Sequence, residues 1–322
     1  MSGALPSITV VMPLFNKRPH VAAAVDSVLG QSSPCTELII VDDGSSDGSR
    51  EYVRGLSDAR LRLFERSEPG PGGYAARNLA IREAKSEWIA FLDADDVWTA
   101  GHLAGVRDSL AAAPSEVGCV FTRYVSVTGQ RSRLKEVSPH VARHPGVPID
   151  FADFLRAWLD IGDCPIWTGA VAFRKSLLLE AGLFPEGPAR RGGDKDLWLR
   201  AMSRTNAVFN PAVTARFTQD SVNKVTKTVA FEHPCLVQTA QAMLPSQPPA
   251  IRRLLRRLVN QELRLYAKWS VRQDRISPAL MRSVMWPEGV WSFLFIAMIA
   301  TAPASLRRTA VAQVSRLRKR AA

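Results

Sequence analysis

The sequence predicts an α/β fold in which a doubly wound, mostly parallel sheet is followed by a C-terminal helical appendage. Two observations lead to this class. In the first hundred residues, short and continuously apolar segments alternate with helix-forming segments, as is typical of parallel strands covered on both faces by helices. From residue 251 onwards, the composition becomes strongly basic and helix-forming.

Three strands and three helices are predicted in alternation before residue 100. The strand segments are rich in β-branched or aromatic residues, and each of them ends in or runs into a polar cluster. They are ITVVMP at 8–13, ELIIVDDGS at 37–45 and EWIAFLDAD at 87–95. The helix segments have apolar residues at helical spacing, begin with capping residues or consist of strong helix formers. They are HVAAAVDSVLGQ at 20–31, SSDGSREYVRGL at 45–56 and ARNLAIREAKS at 76–86.

The middle of the chain has a weaker pattern. GCVFTRYVSVTG at 118–129 predicts a further strand. Residues 131–150 contain several Pro, Arg and His and are expected to form a mobile loop. A helix is predicted to begin near Asp194 and to continue through LWLRAMS.

The C-terminal part carries all of the excess positive charge. Residues 251–322 hold 15 Lys or Arg and three acidic side chains, whereas residues 1–250 hold 27 of each sign. The segment 251–272 predicts a basic amphipathic helix, and residues 290–302 form an uncharged run that is shorter than the roughly 20 residues of a membrane-spanning helix. We therefore expect a domain at 1–245 and a basic helical extension at 246–322 that meets an anionic surface, either membrane lipid or nucleic acid. The alternative is that these helices pack on the first domain or form a dimer.

The cysteines and the N-terminus favour a reducing, cytoplasmic environment. The N-terminal MSGALPSITVVMP lacks the basic and long apolar regions of a signal peptide. The cysteines lie far apart without a CxxC pair, which argues against a zinc knuckle and against a disulfide framework. They are Cys35, Cys119, Cys164 and Cys235.

Polar clusters follow the three predicted strands, namely PLFN, DDGS and DADD. Because the carboxyl ends of strands in such sheets border the ligand crevice, the clusters are expected to meet there. On an extended segment, residues two apart point the same way, so Asp93 and Asp95 are predicted to converge on one cationic target while Asp96 turns aside. The sequence has neither the GxxxxGK[ST] loop nor the GxGxxG turn.

Five motifs in order resemble those of family 2 glycosyltransferases of the GT-A fold, over roughly residues 7–205. The resemblance implies an inverting enzyme that moves a sugar from a nucleotide-diphosphate donor, by default a UDP-sugar, to a hydroxyl of a cell-surface polysaccharide or glycoconjugate. It divides the domain into a nucleotide-binding half of about 1–125 and an acceptor half of about 126–245. The motifs are PLFN (13–16), VDDGSSDGS (41–49), GGYAARNLAI (72–81), FLDADDVW (91–98) and GGDKDLWLR (192–200).

The resemblance also implies roles for single residues around the donor. Asp95 and Asp93 would hold Mn²⁺ or Mg²⁺, which prefer hard oxygen ligands and share their sphere with phosphate. The residues alone also allow a structural explanation for each of these sites. Asp43 would then be a turn residue, Arg77 a solvated helix residue, and DADD a turn or a helix cap. The implied nucleotide-sugar-binding residues are Pro13, Phe15, Asn16, Asp42, Asp43, Arg77, Asp93 and Ala94.

A general base is implied at the fifth motif. Asp194 matches the catalytic Asp of the family, and Asp196 is its substitute. The chain departs from the pattern with Gly193 where Glu is usual and Lys195 where an aromatic residue is common. Acidic residues also simply favour a helix N-terminus, which is the plainer explanation of both carboxylates. Candidate acceptor contacts are Trp167, Thr168 and Trp198, although Trp198 is favoured as a core residue.

Other classes of protein stay open at this point. A sugar nucleotidyltransferase shares the sheet and the metal carboxylates, and Gly193 leaves an inactive nucleotide-sugar-binding homologue possible. The expected partners are a nucleotide sugar, a saccharide, lipid-linked or protein acceptor, and an anionic membrane surface on the inner face of the cell membrane. Nucleic acid is not expected, because the body of the chain is neutral and its strand ends are acidic.

Overall fold

The computed structural model describes residues 5–68, 70–187, 191–222, 233–271, 277–303 and 307. Two compact units are present, Met1–Lys227 and Thr228–Ala322. The domain boundary at 245/246 that the composition predicts remains a prediction. The same holds for the division of the first domain into a nucleotide-binding half and an acceptor half.

The first unit is built on a sheet of nine strands among the described residues. Its strands are β1 Ile8–Leu14, β2 Glu37–Asp42, β3 Leu61–Glu65, β4 Trp88–Phe91, β5 Val97–Trp98, β6 Val117–Thr128, β7 Arg131–Leu134, β8 Val171–Arg174 and β9 Asn206–Thr218. Its helices are α1 Val21–Leu29, α2 Ser49–Arg54, α3 Tyr74–Glu83, α4 His102–Ala112, α5 Pro139–Ala142, α6 Phe151–Ile161, α7 Lys175–Glu180 and α8 Gly193–Met202.

The strand order is β3-β2-β1-β4-β8-β6-β9-β5, with β7 paired to β6. The first four strands in this order are parallel to one another, and β6 is parallel to β9. The pairings of β8 with β4 and β6, of β5 with β9 and of β7 with β6 are antiparallel. The predicted α/β fold with a mostly parallel sheet is confirmed.

Both faces of the sheet are buried, which explains the continuous apolar runs. Alternate residues of β1, such as Val10 and Met12, belong to one core cluster with Val25 of α1 and Leu103 of α4. On the other face, aromatic side chains pack together, with Phe173 stacked on Trp198 at a ring-centroid distance of 4.6 Å.

The three predicted strands and three predicted helices before residue 100 are all present, with shifted ends. The second helix begins at Ser49 rather than near 45, because Gly48 before it is left-handed with φ of 87°. The third begins at Tyr74, directly after two left-handed glycines. The sequence did not predict β3, whose side chains are only half-buried and include two charges, so its apolar run is short.

The prediction of a mobile loop at 131–150 is wrong for two segments, which form regular secondary structure. Residues 131–134 form β7, an antiparallel hairpin partner of β6, and residues 139–142 form the one-turn helix α5. All four side chains of β7 are exposed, so this strand has no apolar alternation to reveal it.

The second unit is helical over its described residues. Its helices are α9 Leu236–Met243, α10 Pro249–Ser270, α11 Pro278–Arg282 and α12 Val290–Thr301. The predicted amphipathic helix corresponds to α10, which buries Leu255, Leu258 and Leu263. The Asn260 amide exchanges two hydrogen bonds with the Met285 backbone, at 2.7 and 2.8 Å, and so fastens α10 to the segment before α12. None of the described helices is long and apolar enough to cross a membrane.

Candidate active site

The register of the parallel strands brings the three polar clusters to one edge of the sheet. Leu14 is paired with Asp42, and the Asp43 N–H donates to the Leu14 carbonyl at 2.8 Å. On the other side of β1, the Leu92 N–H donates to Val11 at 3.1 Å, which carries the DADD segment alongside the end of β1. The predicted convergence of these strand ends is therefore present.

Three carboxylates gather where β4 ends. One oxygen each of Asp93, Asp95 and Asp96 lies within 4.8 Å of the others. The Asp93 side chain is 34% exposed and pairs with Arg77, whereas Asp96 is fully buried. One oxygen of Asp96 accepts a hydrogen bond of 2.7 Å from the Thr218 N–H, so Asp96 fastens this segment to β9.

Asp95 contacts two residues that the sequence analysis did not select. The Lys17 ammonium lies 2.7 Å from Asp95 Oδ2, and the Ser221 hydroxyl donates to the same oxygen. Lys17 directly follows the PLFN motif. Its position just beyond the end of β1 could have indicated that its ammonium lies beside the carboxylates at the neighbouring strand end. Ser221 gave no such signal, because it lies 126 residues away in the sequence.

The acidic cluster fits a divalent cation. Oxygens about 2.1 Å from one Mg²⁺ or Mn²⁺ stand at most about 4.2 Å apart, so the observed separation needs only a small adjustment. Carboxylate oxygens are also the hard ligands that such ions prefer. Asp93 and Asp95, with their partly accessible side chains, are the residues that would hold the ion.

The two aspartates after β2 differ in their surroundings. Asp42 is completely buried, and its Oδ2 accepts from the N–H groups of Gly44 and Ser45 at 3.3 and 3.1 Å. It therefore shapes the turn. Asp43 pairs with Arg66 and accepts from the Gly70 N–H at 2.9 Å, which ties the strand end to the glycine-rich loop. Burial raises the pKa of Asp43 above its ordinary value, although Gly70 and Arg66 act in the opposite direction.

The PLFN residues lie beside this carboxylate pair. Asn16 is left-handed with φ of 50°, and its side-chain oxygen accepts from the Ser46 N–H at 2.8 Å, so it joins the ends of β1 and β2. Phe15 is 41% exposed at the strand end. A side chain at position 73 would lie 3.3 Å from Pro13, so Gly73 permits the close approach of the glycine-rich loop.

Arg77 is held at the start of α3 and is buried rather than solvated. It donates to the Gly72 carbonyl at 2.8 Å and pairs with Asp93, and its guanidinium carbon lies 5.6 Å from the centre of the Phe184 ring. Ala94 is buried between the two candidate metal ligands. Its side chain belongs to the core cluster of the sheet.

Asp194 lies in the first turn of α8 and is half-buried. The Thr168 hydroxyl approaches it at 3.4 Å, which is a long hydrogen bond. The preceding residue, Gly193, donates its N–H to the Tyr74 hydroxyl at 2.8 Å. Tyr74 was another residue that sequence reasoning missed.

Asp196 has a different environment, although it is only two residues away. It is buried and pairs with Arg200 one helical turn later, at 2.8 Å. Arg200 also donates to the Ala181 and Leu183 carbonyls, so this ion pair fastens α8 to the turn after α7. The plainer explanation, a structural carboxylate, accounts for Asp196.

The candidate acceptor residues separate into two groups. Trp198 has no exposed surface and is enclosed by Phe91, Phe173 and Phe184, so its assignment as an acceptor residue is wrong and the core assignment holds. Trp167 is half-buried and stacks on Tyr124 at 4.4 Å. Thr168 contacts Asp194, as described above.

A single helical turn connects the acidic cluster to Asp194. Tyr74 and Arg77 are three residues apart and therefore share a face of α3. Arg77 forms an ion pair with Asp93, and the Tyr74 hydroxyl accepts a hydrogen bond from the N–H of Gly193, the residue before Asp194. Motifs a hundred residues apart are thus connected through one turn of α3.

Comparison with known proteins places this geometry in context. The model of the family described as Glycosyl transferase family 2 matches residues 9–180. A relative from Escherichia coli, UDP-Glc:alpha-D-GlcNAc-diphosphoundecaprenol beta-1,3-glucosyltransferase WfgD, is 40% identical over 96 residues, which are 30% of this chain and 38% of the relative. The chain therefore spans less than two-fifths of the length of that relative.

Solved structures share the fold. TarS 1–349 from S. aureus in complex with UDP-GlcNAc gives a TM-score of 0.68 with 15% identity, over 96% of this chain and 92% of that one. The mannosyltransferase PcManGT from Pyrobaculum calidifontis in complex with GDP-Man and Mn²⁺ gives 0.53 with 20% identity, over 96% and 85%.

Proposed function

The chain belongs to glycosyl transferase family 2, and from this premise we propose that it moves a sugar from a UDP-sugar to an acceptor hydroxyl during synthesis of a cell-surface polysaccharide or glycoconjugate. The observation that carries the proposal is the turn of α3 that joins the acidic cluster to the backbone before Asp194. On this proposal, the same turn would position the donor-binding carboxylates and the proton-accepting carboxylate relative to each other.

The nucleoside would bind at the ends of β1 and β2. Phe15, which is exposed there, offers a face for the base, and the Asp43 carboxylate accepts hydrogen bonds from ring N–H or ribose hydroxyl groups. Asp43 would use lone pairs beyond those that Arg66 and the Gly70 N–H occupy, whereas Asp42 has no exposed surface and the Asn16 side-chain oxygen joins the ends of β1 and β2. The WfgD relative is named for a UDP-glucose donor, which supports UDP as the nucleotide.

The diphosphate would lie against the acidic cluster and its two cations. A divalent ion held by Asp93 and Asp95 would supply Lewis-acid neutralisation of the leaving diphosphate. Lys17 and Arg77 bring further positive charge to the same place. Their charges stabilise the phosphate oxygens as the bond to the sugar breaks.

Asp194 would accept the proton of the acceptor hydroxyl. As that oxygen forms its bond to the anomeric carbon, the bond from this carbon to the diphosphate oxygen breaks, and the nucleoside diphosphate leaves with the electron pair. The proton goes to Asp194, which Thr168 orients. A single displacement of this kind inverts the anomeric configuration. Asp196 is a poor substitute, since the Arg200 ion pair occupies it.

The site of action would be the inner face of the cell membrane. The WfgD relative is named for an acceptor on a diphosphoundecaprenol lipid, and an enzyme with such an acceptor works at a bilayer surface. The basic extension at 246–322 would attach the protein there peripherally through anionic lipid. A saccharide acceptor on a lipid carrier is the class that this location favours.

Hydrolysis of a panel of nucleotide sugars with Mn²⁺ tests the proposal. Asp194→Asn is expected to lower the rate by about a hundredfold to ten-thousandfold while donor binding persists, because a general base contributes that factor. Asp95→Asn is expected to abolish the response to Mn²⁺. The control is Asp108→Asn, which removes an exposed carboxylate on α4. Activity that survives both site substitutions contradicts the assignment, and formation of UTP from a UDP-sugar and pyrophosphate would indicate a nucleotidyltransferase instead.

A further inference from the structure

An apolar face is exposed on the last described helix of the second unit. Its side chains are Val290, Trp291, Leu294 and Met298, which are 47, 79, 52 and 42% exposed, and Trp286, just before the helix, is 56% exposed. Three of them, at 290, 294 and 298, repeat every four residues and lie along one side of α12. The opposite side is buried through Ser292, Ile296 and Ile299. The helix is therefore docked on one side and bare on the other.

Basic side chains border this helix. Arg264 of α10 donates to the Ser292 hydroxyl, and the Lys268 ammonium lies 5.8 Å from the centre of the Phe295 ring. Arg282 on α11 is exposed. Lys268 thus places positive charge on a flank of α12, whereas Arg264 reaches its docked side and Arg282 adds exposed positive charge to this unit.

Negative charge in the described part of this unit is confined to two residues, against eight Lys or Arg. Glu262 is fully buried and Glu288 pairs with Arg256 at 2.5 Å. Both carboxylates are thus buried or paired, whereas Arg253, Arg257 and Arg282 are exposed. An anionic partner is therefore the one that this surface complements.

The dimensions of α12 decide how it would meet such a partner. Its 12 residues span about 18 Å, against about 30 Å for the hydrocarbon core of a bilayer. It holds no charged residue, so its bare face offers nothing that would specify a protein surface by charge. Exposed tryptophans such as Trp286 and Trp291 are typical of segments that lie at the headgroup level of a membrane.

We propose that the bare face of α12 inserts into the boundary between headgroups and acyl chains of an anionic bilayer, to which the excess positive charge of this unit is attracted. This inference rests on the membrane attachment proposed above and deepens it, because it names the residues that enter the lipid. The attachment then has two parts, apolar insertion and electrostatic attraction.

Sedimentation with vesicles tests the insertion, using the full chain. The vesicles are phosphatidylcholine with about 30% phosphatidylglycerol, or phosphatidylcholine alone. The variant Trp291→Ser/Leu294→Ser/Met298→Ser is expected to bind the anionic vesicles at least about tenfold more weakly than the wild type, because three apolar side chains no longer leave water. The matched control is Leu134→Ser/Val147→Ser/Leu179→Ser, whose residues are 41, 52 and 44% exposed in the first unit and which should bind as the wild type does.

Two outcomes would overturn the proposal. One is equal vesicle binding by the triple variant and the wild type. The other is a wild-type dimer, seen by light scattering, that the triple variant converts to monomer without loss of vesicle binding, since a second copy would then cover the face. Hydrolysis of the nucleotide sugar is measured in every sample. Its absence from the wild type would refute the proposed function alone, whereas its persistence in a variant that no longer binds vesicles supports both proposals.

Discussion

At the scale of single residues, Gly193 is the departure from the family pattern that the structure explains. A side chain at this position would lie 2.7 Å from Tyr74 and 2.9 Å from Pro185. The Tyr74 ring fills the room that a Glu side chain would need, and its hydroxyl accepts from the Gly193 N–H. The absence of Glu therefore follows from the presence of Tyr74, and Asp194 keeps its place at the start of α8.

This packing predicts a dependence between the two positions. Gly193→Glu should lower the free energy of unfolding by about 1–3 kcal/mol, because the new side chain overpacks against the Tyr74 ring. Adding Tyr74→Ser should recover part of that loss by making room. Urea unfolding of the single and double variants measures both effects. Gly101→Glu is the control, since a side chain there meets nothing within 4 Å. Strictly additive losses in the double variant would contradict the explanation.

Lys17 gives a second residue-scale prediction. Its ammonium lies 2.7 Å from Asp95 Oδ2, so a cation that binds this oxygen competes with it. Lys17→Met is expected to tighten the binding of Mn²⁺ alone about fivefold, as removal of a nearby like charge is worth about 1 kcal/mol. Titration followed by the electron paramagnetic resonance of free Mn²⁺ measures this without any substrate. The exposed Lys85→Met serves as the control, and unchanged or weaker Mn²⁺ binding in Lys17→Met would show that no competition exists.

At the scale of elements, α4 meets the sheet through a buried histidine. His102 stacks on Trp98 at 4.0 Å, and its Nδ1 lies 2.8 Å from the Thr214 hydroxyl of β9. Its Nε2 is buried and has no hydrogen-bond partner among the residues that the structure describes. Burial lowers the pKa of His102 from 6.5 to about 3, so the ring stays neutral when the chain is folded.

This environment predicts acid sensitivity at the contact of α4 with β9. Between pH 6.5 and about 3, the unfolded chain binds a proton at His102 that the folded chain does not bind. The free energy of unfolding should therefore decrease as the pH falls through this window, by about 1.4 kcal/mol per pH unit from this residue. In His102→Gln, urea unfolding at several pH values should show a slope smaller by that amount, whatever the absolute stability. Equal slopes in the two proteins would mean that His102 is protonated when folded.

At the scale of the whole molecule, charge is divided between the ends of the chain. Residues 1–250 are neutral overall, and the entire excess of positive charge follows them. The proposed attraction to an anionic surface therefore rests on the C-terminal part. The chemistry proposed above belongs to the first unit, where the carboxylates lie.

This uneven distribution of charge along the chain predicts that high salt releases the protein from a membrane. Raising the salt concentration from about 0.1 to about 1 M shortens the Debye length from about 10 to about 3 Å and should release most of the membrane-bound protein. The measurement is the fraction recovered in the supernatant after extraction of membranes. A pool that is soluble at both salt concentrations would refute electrostatic attachment.

The sequence by itself determined three strands before residue 100, the polar clusters at their ends and the grouping of the acidic residues. Apolar runs such as ITVVMP report burial on both faces, and parallel strands must bring their carboxyl ends to one edge. Asp93 and Asp95 could therefore be grouped with Asp43 before any coordinates were known. The order of motifs likewise indicated the family that residues 9–180 match.

Only the tertiary structure decided which partners these residues have. Ser221 reaches Asp95 across 126 positions and Tyr74 reaches Gly193 across 119, and neither pair leaves a periodic trace in the sequence. It also separated Asp194 from Asp196: the spacing of Asp196 and Arg200 allows an ion pair within α8, but the docking of Arg200 on the Ala181 and Leu183 carbonyls depends on tertiary packing. Local patterns record how deeply a residue is buried and on which face, whereas the identity of a distant neighbour is fixed only when the chain folds.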